Sequence, residues 1–178
     1  MPRERGFTLI ELLMVVAIIG IIAAVAIPGL LRARIAGNEA SAIGSLRAIN
    51  SGEATYSTSC VVGGYAITLE DLVKAPPGAN SAGFISPDLK SNGVVKSGYI
   101  VTLAKDAGPG VLDVGTAAAS CNGAADTPAN SYFSSADPLT LNATGTRYFA
   151  TDKRGTIFFD TAAPIANPIP PGAATWVQ

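Results

Sequence analysis

The strongest feature of the hydrophobic pattern is an apolar run near the start of the chain. Residues 12–31 contain no charged side chain. A membrane-spanning helix needs about 20 apolar residues, so this run is long enough to cross a bilayer. Glu11 lies one helical turn inside the apolar segment, where a carboxylate costs about 2–3 kcal/mol unless a partner neutralises it. The pattern therefore predicts a membrane-spanning helix with one charge that needs a partner.

After this run the pattern becomes one-sided. Apolar residues recur at helical spacing and form a stripe, whose members are Ile35, Ala42, Leu46, Ile49 and Tyr56. Glu39 and Glu53 interrupt the same series. We predict one helix over residues 7–59, with residues 7–31 as its membrane-spanning half and residues 32–59 as an amphipathic half that packs on the rest of the chain. A coiled-coil seam with another protein is the alternative, which the two glutamates disfavour.

Two positions weaken the predicted helix. Gly20 lowers helix propensity by about 1 kcal/mol relative to alanine. Pro28 lacks a backbone donor and its ring clashes with the carbonyl group of Ala24. We expect the helix to unwind easily between these positions, and a simple proline kink is the alternative.

The second half of the chain alternates turn signals with short runs of β-forming residues. Residues 60–98 are predicted to form a connecting region, with a short helix in which Thr68 is the N-cap and Asp71 completes the capping box. Residues 99–160 are predicted to form an antiparallel sheet of about four strands. The candidate strands are residues 98–103, 111–114, 131–135, 146–151 and 156–160. The last two form the clearest hairpin, because a four-residue turn ending in Gly155 separates them.

The final segment, residues 161–178, is rich in proline. Its prolines are incompatible with a helix or a central strand; they are Pro164, Pro168, Pro170 and Pro171. We expect an extended tail with Trp176 as its candidate anchor, and a disordered end is the alternative. Together the elements predict an α+β fold, in which the long N-terminal helix packs on a C-terminal antiparallel β-sheet.

Composition excludes several classes of function. The formal net charge is −1 and the basic residues are scattered, so nothing indicates nucleic-acid binding. The chain contains no histidine, which removes the commonest general base and metal ligand. It also lacks a phosphate-binding loop and a Ser-His-Asp set. We therefore predict no catalytic residues, no enzyme activity and no cofactor.

Acidic side chains are the remaining candidates for a metal site. Four aspartates in the second half offer oxygen ligands of the kind that calcium prefers; they are Asp126, Asp137, Asp152 and Asp160. They form no dense run of the EF-hand type. Scattered surface charges explain them better, so no metal site is predicted.

The two cysteines, Cys60 and Cys121, form an even count in a chain whose body is expected outside the cytoplasm. That context favours a disulfide, which would connect the end of the long helix to the middle of the body. The alternative is a pair of buried free thiols that behave as small apolar residues.

A short leader precedes the helix, and the sequence then reads Gly-Phe-Thr-Leu-Ile-Glu-Leu over residues 6–12. This motif resembles the processing site of type IV pilins and type II secretion pseudopilins. The resemblance implies that residues 1–6 are a prepilin leader and that prepilin peptidase cuts between Gly6 and Phe7. It also implies that the new amino group of Phe7 is methylated.

The resemblance further implies roles for two residues of the helix. Glu11 would be the glutamate of filament assembly, which meets the Phe7 amine of a neighbouring subunit. Pro28 matches a proline near which the family's helix kinks or melts in assembled filaments. The order of a long helix followed by a sheet also resembles the pilin layout.

The implied function is that of a structural subunit of a type IV pilus-like filament. Its implied partners are copies of itself, prepilin peptidase, an inner-membrane assembly platform and, before assembly, membrane lipid. The implied location is the bacterial inner membrane, then an extracellular pilus or a periplasmic pseudopilus. A secretion pseudopilin, a membrane-anchored binding module and a conventional signal peptide at the N-terminus remain alternatives.

Overall fold

One long helix, α1, forms the N-terminal part of the protein. The computed structural model describes residues 6–78, 82–170 and 175–177, and in it α1 covers Leu9–Ser59. The helix predicted over residues 7–59 is therefore confirmed, with a start two residues later. It begins at Leu9 because the side chain of Thr8 accepts a hydrogen bond from the backbone N–H of Glu11 and so caps the first turn.

A six-stranded antiparallel sheet forms the body, and each strand pairs with the next one in the chain. The strands are β1 (Val94–Lys96), β2 (Tyr99–Lys105), β3 (Tyr132–Pro138), β4 (Tyr148–Asp152), β5 (Ile157–Asp160) and β6 (Thr175–Val177). The predicted hairpin corresponds to β4 and β5. Its turn closes with a hydrogen bond from Gly155 N–H to the carbonyl group of Asp152 at 2.8 Å, and Gly155 adopts a φ of 73° that favours glycine.

The predicted strand at residues 111–114 is wrong. This segment makes only an isolated bridge between Asp113 and Ala129, and Leu112 is exposed. The sheet instead gains β1 and β6, so it extends beyond residues 99–160 at both ends.

The main core lies between the amphipathic half of α1 and the inner face of the sheet. The stripe predicted on α1 supplies Ala42, Leu46, Ile49 and Tyr56 to it. The sheet supplies Tyr99, Val101, Leu103, Tyr132, Ala136, Phe149 and Ile157. At Gly52 the helix passes so close to Phe84 that an added Cβ would lie 2.8 Å from its carbonyl oxygen. The expected packing of this half of the helix on the body is therefore observed.

A second, smaller core covers the outer face of the sheet. Ile169 is buried there with Phe133 and Ala150, and Ile165 packs against them. Asn167 fixes this segment, because its side chain accepts a hydrogen bond from Ala107 N–H at 2.8 Å and donates one to the carbonyl group of Lys105 at 2.9 Å. The tail is thus held through residues 165–169, while the side chain of Trp176 lies outside the described residues.

A four-residue helix, α2 (Leu69–Leu72), lies in the connecting region. Thr68 is its N-cap, as predicted, and accepts a hydrogen bond from Asp71 N–H. The predicted return contact of a capping box is replaced by another arrangement. The carboxylate of Asp71 accepts hydrogen bonds from Ala125 N–H at 2.8 Å and Asp126 N–H at 2.9 Å, so α2 is attached to the loop before β3.

Candidate assembly interface

The start of α1 is a capping box built from two residues. The hydroxyl group of Thr8 donates to Oε2 of Glu11 at 2.7 Å, and the Thr8 backbone N–H donates to the same oxygen at 2.9 Å. The Glu11 N–H in turn donates to the Thr8 hydroxyl at 3.3 Å. The Glu11 carboxylate is therefore directed back towards the N-terminus, where the helix dipole favours a negative charge.

The predicted cleavage site lies just outside the helix. Gly6 and Phe7 precede α1, both are exposed, and the Phe7 side chain is 81% exposed. A peptide bond outside a helix can adopt the extended form that proteases bind, without loss of helical hydrogen bonds. The rest of the leader, residues 1–5, lies outside the described residues.

The first half of α1 makes no core with the body. The first buried residue of the helix is Glu39. The apolar side chains before it are largely exposed; they include Leu9, Ile10, Leu13, Val16, Ile19, Ile22, Val25 and Leu30. Among the described residues, α1 is the helix long and apolar enough to cross a membrane. Such an apolar surface needs lipid or other apolar helices around it.

The two weak positions lie within this exposed half. The helix is continuous through Gly20 and Pro28. Because Pro28 has no N–H, the carbonyl group of Ala24 has no donor four residues ahead of it. Among the described residues, no atom lies within 4 Å of where a Cβ would stand at Gly20 or Gly29, so local unwinding there would disturb no packed contact of these two positions.

Where α1 reaches the body, Glu39 forms a dense set of polar contacts. Its Oε1 accepts from the N–H and the hydroxyl group of Thr146 at 2.9 and 2.7 Å. Its Oε2 accepts from Nε and Nη2 of Arg147 at 2.9 and 2.6 Å. Burial alone would raise the pKa of Glu39, but the hydrogen bonds from Thr146 and Arg147 outweigh it, so the pKa lies below its ordinary value.

Glu53 is the second glutamate of the amphipathic stripe, and it is fully buried. Its Oε2 accepts a hydrogen bond from Ala66 N–H at 2.9 Å. Its Oε1 has no hydrogen-bond partner among the described residues. Burial raises the pKa of Glu53 well above its ordinary value, and the Ala66 N–H opposes this shift only in part. The folded protein therefore favours the neutral acid at this position.

The two cysteines form a disulfide between the end of α1 and the loop before β3. Cys60 and Cys121 are separated by 61 residues, and their Cα atoms lie 4.8 Å apart. Next to it, the side-chain amide of Asn122 donates to the carbonyl group of Asp71 at 2.7 Å. The disulfide predicted from the sequence is confirmed.

No metal site is formed by the part of the chain that the structure describes. No group of three or more cysteine, aspartate or glutamate side chains within it is placed to hold an ion. Of the aspartates considered as calcium ligands, Asp152 instead pairs with Arg154 across the β4–β5 turn at 2.7 Å. The outer-face Asp137 is partly buried, and burial raises its pKa.

The family described as the prokaryotic N-terminal methylation motif matches residues 1–27. The chain carries a prepilin-type N-terminal segment. The chain is also similar to the type IV major pilin protein PilA of Myxococcus xanthus (strain DK1622), with 46% identity over 55 residues. The matched segment covers 31% of this chain and 25% of the length of that pilin. No solved structure gave a significant match.

These comparisons and the fold together confirm the resemblance to type IV pilins that residues 6–12 predict. They also agree with the pilin-like order of a long apolar helix followed by an antiparallel sheet. Cleavage after Gly6, methylation of Phe7 and the assembly roles of Glu11 and Pro28 remain predictions. Sequence reasoning missed Thr8 as the partner of Glu11, although the Thr-x-x-Glu spacing of a capping box was there to be found.

Proposed function

We propose that this chain is a structural subunit, a pilin, of a type IV pilus-like filament. One observation carries the proposal: a prepilin-type motif introduces an apolar half-helix whose side chains the body leaves uncovered. Before assembly this half-helix lies in a membrane. In the filament, the same surface packs against the corresponding helices of other subunits.

Processing creates the partner that Glu11 needs. Prepilin peptidase cuts between Gly6 and Phe7, and the new amino group is largely protonated near neutral pH because its reference pKa is about 8. Methylation of the Phe7 amine keeps this charge. Glu11 of one subunit then pairs with the Phe7 amine of its neighbour, which fixes axial register more than it adds net stability. Pro28 lets the helix lengthen as subunits pack.

A type II secretion pseudopilin is the alternative within the same class, and it would share the processing step. Similarity to a protein named as a major pilin supports the pilus. A permanently anchored binding module is a weaker candidate, because it gives the Glu11 carboxylate no cationic partner and leaves it only the cap with Thr8.

The test is to replace Glu11 in the native cell and measure processing, membrane insertion and surface filaments separately. We expect Glu11→Ala and Glu11→Gln to insert normally but to give few filaments, since both remove the negative charge. Asp113→Asn, which removes an exposed carboxylate of the body, should leave the filament yield unchanged. Normal yield from the Glu11 variants, or a mature protein that begins at Met1 rather than at a methylated Phe7, would contradict the proposal.

A further inference from the structure

Two arginines follow directly on the apolar run of α1. Arg32 and Arg34 are both exposed. Among the described residues, neither makes a hydrogen bond or an ion pair. They lie two positions apart, so their side chains leave the helix on nearly opposite sides, about 200° apart. Positive charge is therefore available around the helix at this level.

The spacing along the helix places these charges at the edge of a bilayer. Residues 12–31 rise about 30 Å, which equals the thickness of the hydrocarbon core. With Glu11 at one boundary, Arg32 and Arg34 reach the lipid headgroups at the other. Long cationic side chains at this depth extend towards the headgroups while their methylene groups stay in the apolar layer.

Within the described parts of the chain, these arginines have no acidic partner. Between Glu11 and Glu39 the sequence has no aspartate or glutamate. Glu39 is already occupied, because its two oxygens accept four hydrogen bonds from Thr146 and Arg147. Glu11 lies about 30 Å away along the helix.

The body contacts α1 about one helical turn beyond Arg34. There the side-chain amide of Asn38 donates a hydrogen bond to the carbonyl group of Thr144 at 2.9 Å. The loop that holds Thr144 also presents Leu139 and Leu141, which are 53% and 37% exposed. We call Arg32, Arg34, Leu139 and Leu141 the membrane-proximal rim.

We propose that the membrane-proximal rim binds the surface of an anionic lipid leaflet before assembly. The two arginines contact lipid phosphates, and the two leucines enter the headgroup layer beside them. This inference rests on the proposed function, since it requires that residues 12–31 span the membrane. It adds a specific lipid class and a set of residues outside the assembly motif.

The test uses the full-length protein in vesicles of phosphatidylcholine mixed with phosphatidylglycerol. Insertion is first checked by resistance to alkaline extraction, and bound phosphatidylglycerol is then counted by native mass spectrometry. Each arginine near such a surface is worth about 1 kcal/mol. Because two such contributions are lost, we expect Arg32→Gln/Arg34→Gln to lower phosphatidylglycerol binding about 30-fold, whereas Arg32→Lys/Arg34→Lys retains most of it.

Two controls test whether lipid binding depends on the membrane-proximal rim itself or on charge and apolar area elsewhere on the protein. Arg47→Gln changes an exposed arginine about 20 Å further along the same helix, and it should leave lipid binding unchanged. Leu139→Ser/Leu141→Ser should weaken binding, whereas Leu112→Ser, at an exposed leucine at the far end of the sheet, should not.

The outcomes distinguish this inference from the proposed function. A chain that does not insert would overturn both. Normal insertion with equal phosphatidylglycerol binding by the wild type and Arg32→Gln/Arg34→Gln would overturn the rim alone. Unchanged lipid binding with a loss of filaments would assign the arginines to contacts between subunits, and would likewise overturn the lipid proposal.

Discussion

Arg147 binds Glu39 through two nitrogen atoms, Nε at 2.9 Å and Nη2 at 2.6 Å from the same carboxylate oxygen. The guanidinium group also lies over the rings of Phe149 and Phe159, 5.3 and 5.1 Å from their centres. One side chain thus joins α1 to β4 and β5. Glu39 is almost fully buried, while Arg147 remains about one-third exposed.

Replacement of Arg147 by methionine should lower the free energy of unfolding by about 1–3 kcal/mol. The change leaves the buried Glu39 carboxylate without its charged partner, and partial exposure of Arg147 keeps the loss below that of a fully buried pair. Urea unfolding of the full-length protein in detergent solution measures it. Lys105→Met breaks the exposed pair with Asp113 and should cost less than about 1 kcal/mol. If Arg147→Met and Lys105→Met lowered the free energy of unfolding equally, the Arg147–Glu39 contact would stabilise the fold no more than an exposed ion pair does.

The stability of the wild type should also fall in acid because of Glu39. Its pKa is lower in the folded protein than in the unfolded chain, despite burial, because Thr146 and Arg147 stabilise the carboxylate. Its contribution is therefore complete above the ordinary pKa of a glutamate and is lost as the pH falls through the lowered value. The free energy of unfolding, measured across this pH range, should fall less steeply towards acid for Glu39→Gln than for the wild type.

Glu53 should have the opposite dependence on pH. Burial raises the pKa of Glu53 in the folded protein, so its protonated form favours folding at acidic pH. That contribution declines as the pH rises from the ordinary pKa of glutamate towards the raised value. Glu53→Gln keeps an acceptor for Ala66 N–H and removes the ionisation. We expect this variant to gain stability over the wild type at neutral pH and to lose that advantage in acid. A difference in stability between Glu53→Gln and the wild type that stays constant from acidic to neutral pH would show that Glu53 does not titrate as described.

Loss of the disulfide should lower the stability of the body by about 4 kcal/mol. This value follows from the entropy of the unfolded chain for a closed loop of 61 residues. Cys60→Ala/Cys121→Ala and wild type treated with reductant should unfold at similar denaturant concentrations. The same reductant should leave the double variant unchanged, and a shift of that variant would mean that reductant acts elsewhere.

Thr8 should matter for assembly through Glu11. Thr8→Val keeps the shape of the side chain but removes both hydroxyl contacts, and loss of such a cap costs about 1 kcal/mol. If the proposed function holds, filament yield should fall, though less than for Glu11→Ala, because the carboxylate is present but poorly oriented. Thr8→Ser keeps the hydroxyl group and should restore the yield. Equal yields from Thr8→Val and the wild type, counted on sheared cells, would exclude this role.

The sequence predicts the long helix and the central hairpin well, because both have patterns that persist over many residues. It predicts β1 and β6 poorly, since each has three residues and so too few for alternation to appear. At residues 111–114 the strand pattern is present but no strand forms. Their β-forming side chains suggest a strand, yet Asp113 pairs only once, with Ala129.

Periodicity also identifies which face of α1 is buried, but it does not identify what the buried polar groups contact. Glu39 and Glu53 look like interruptions of an apolar stripe. The partners of Glu39, Thr146 and Arg147, lie 107 and 108 residues further along the chain, and no local pattern encodes such a distance. The roles inferred for Gly6 to Glu11 come from a motif rather than from the fold, which explains why they need experiments on processing and assembly.

The position of Glu39 as the first buried residue of α1 has a consequence for the proposed function. The apolar run, residues 12–31, is exposed almost throughout, so it can exchange one apolar environment for another while the contacts of Asn38 and Glu39 with the body stay in place. If the proposed function holds, the body keeps its folded core while this segment passes from the bilayer into the filament.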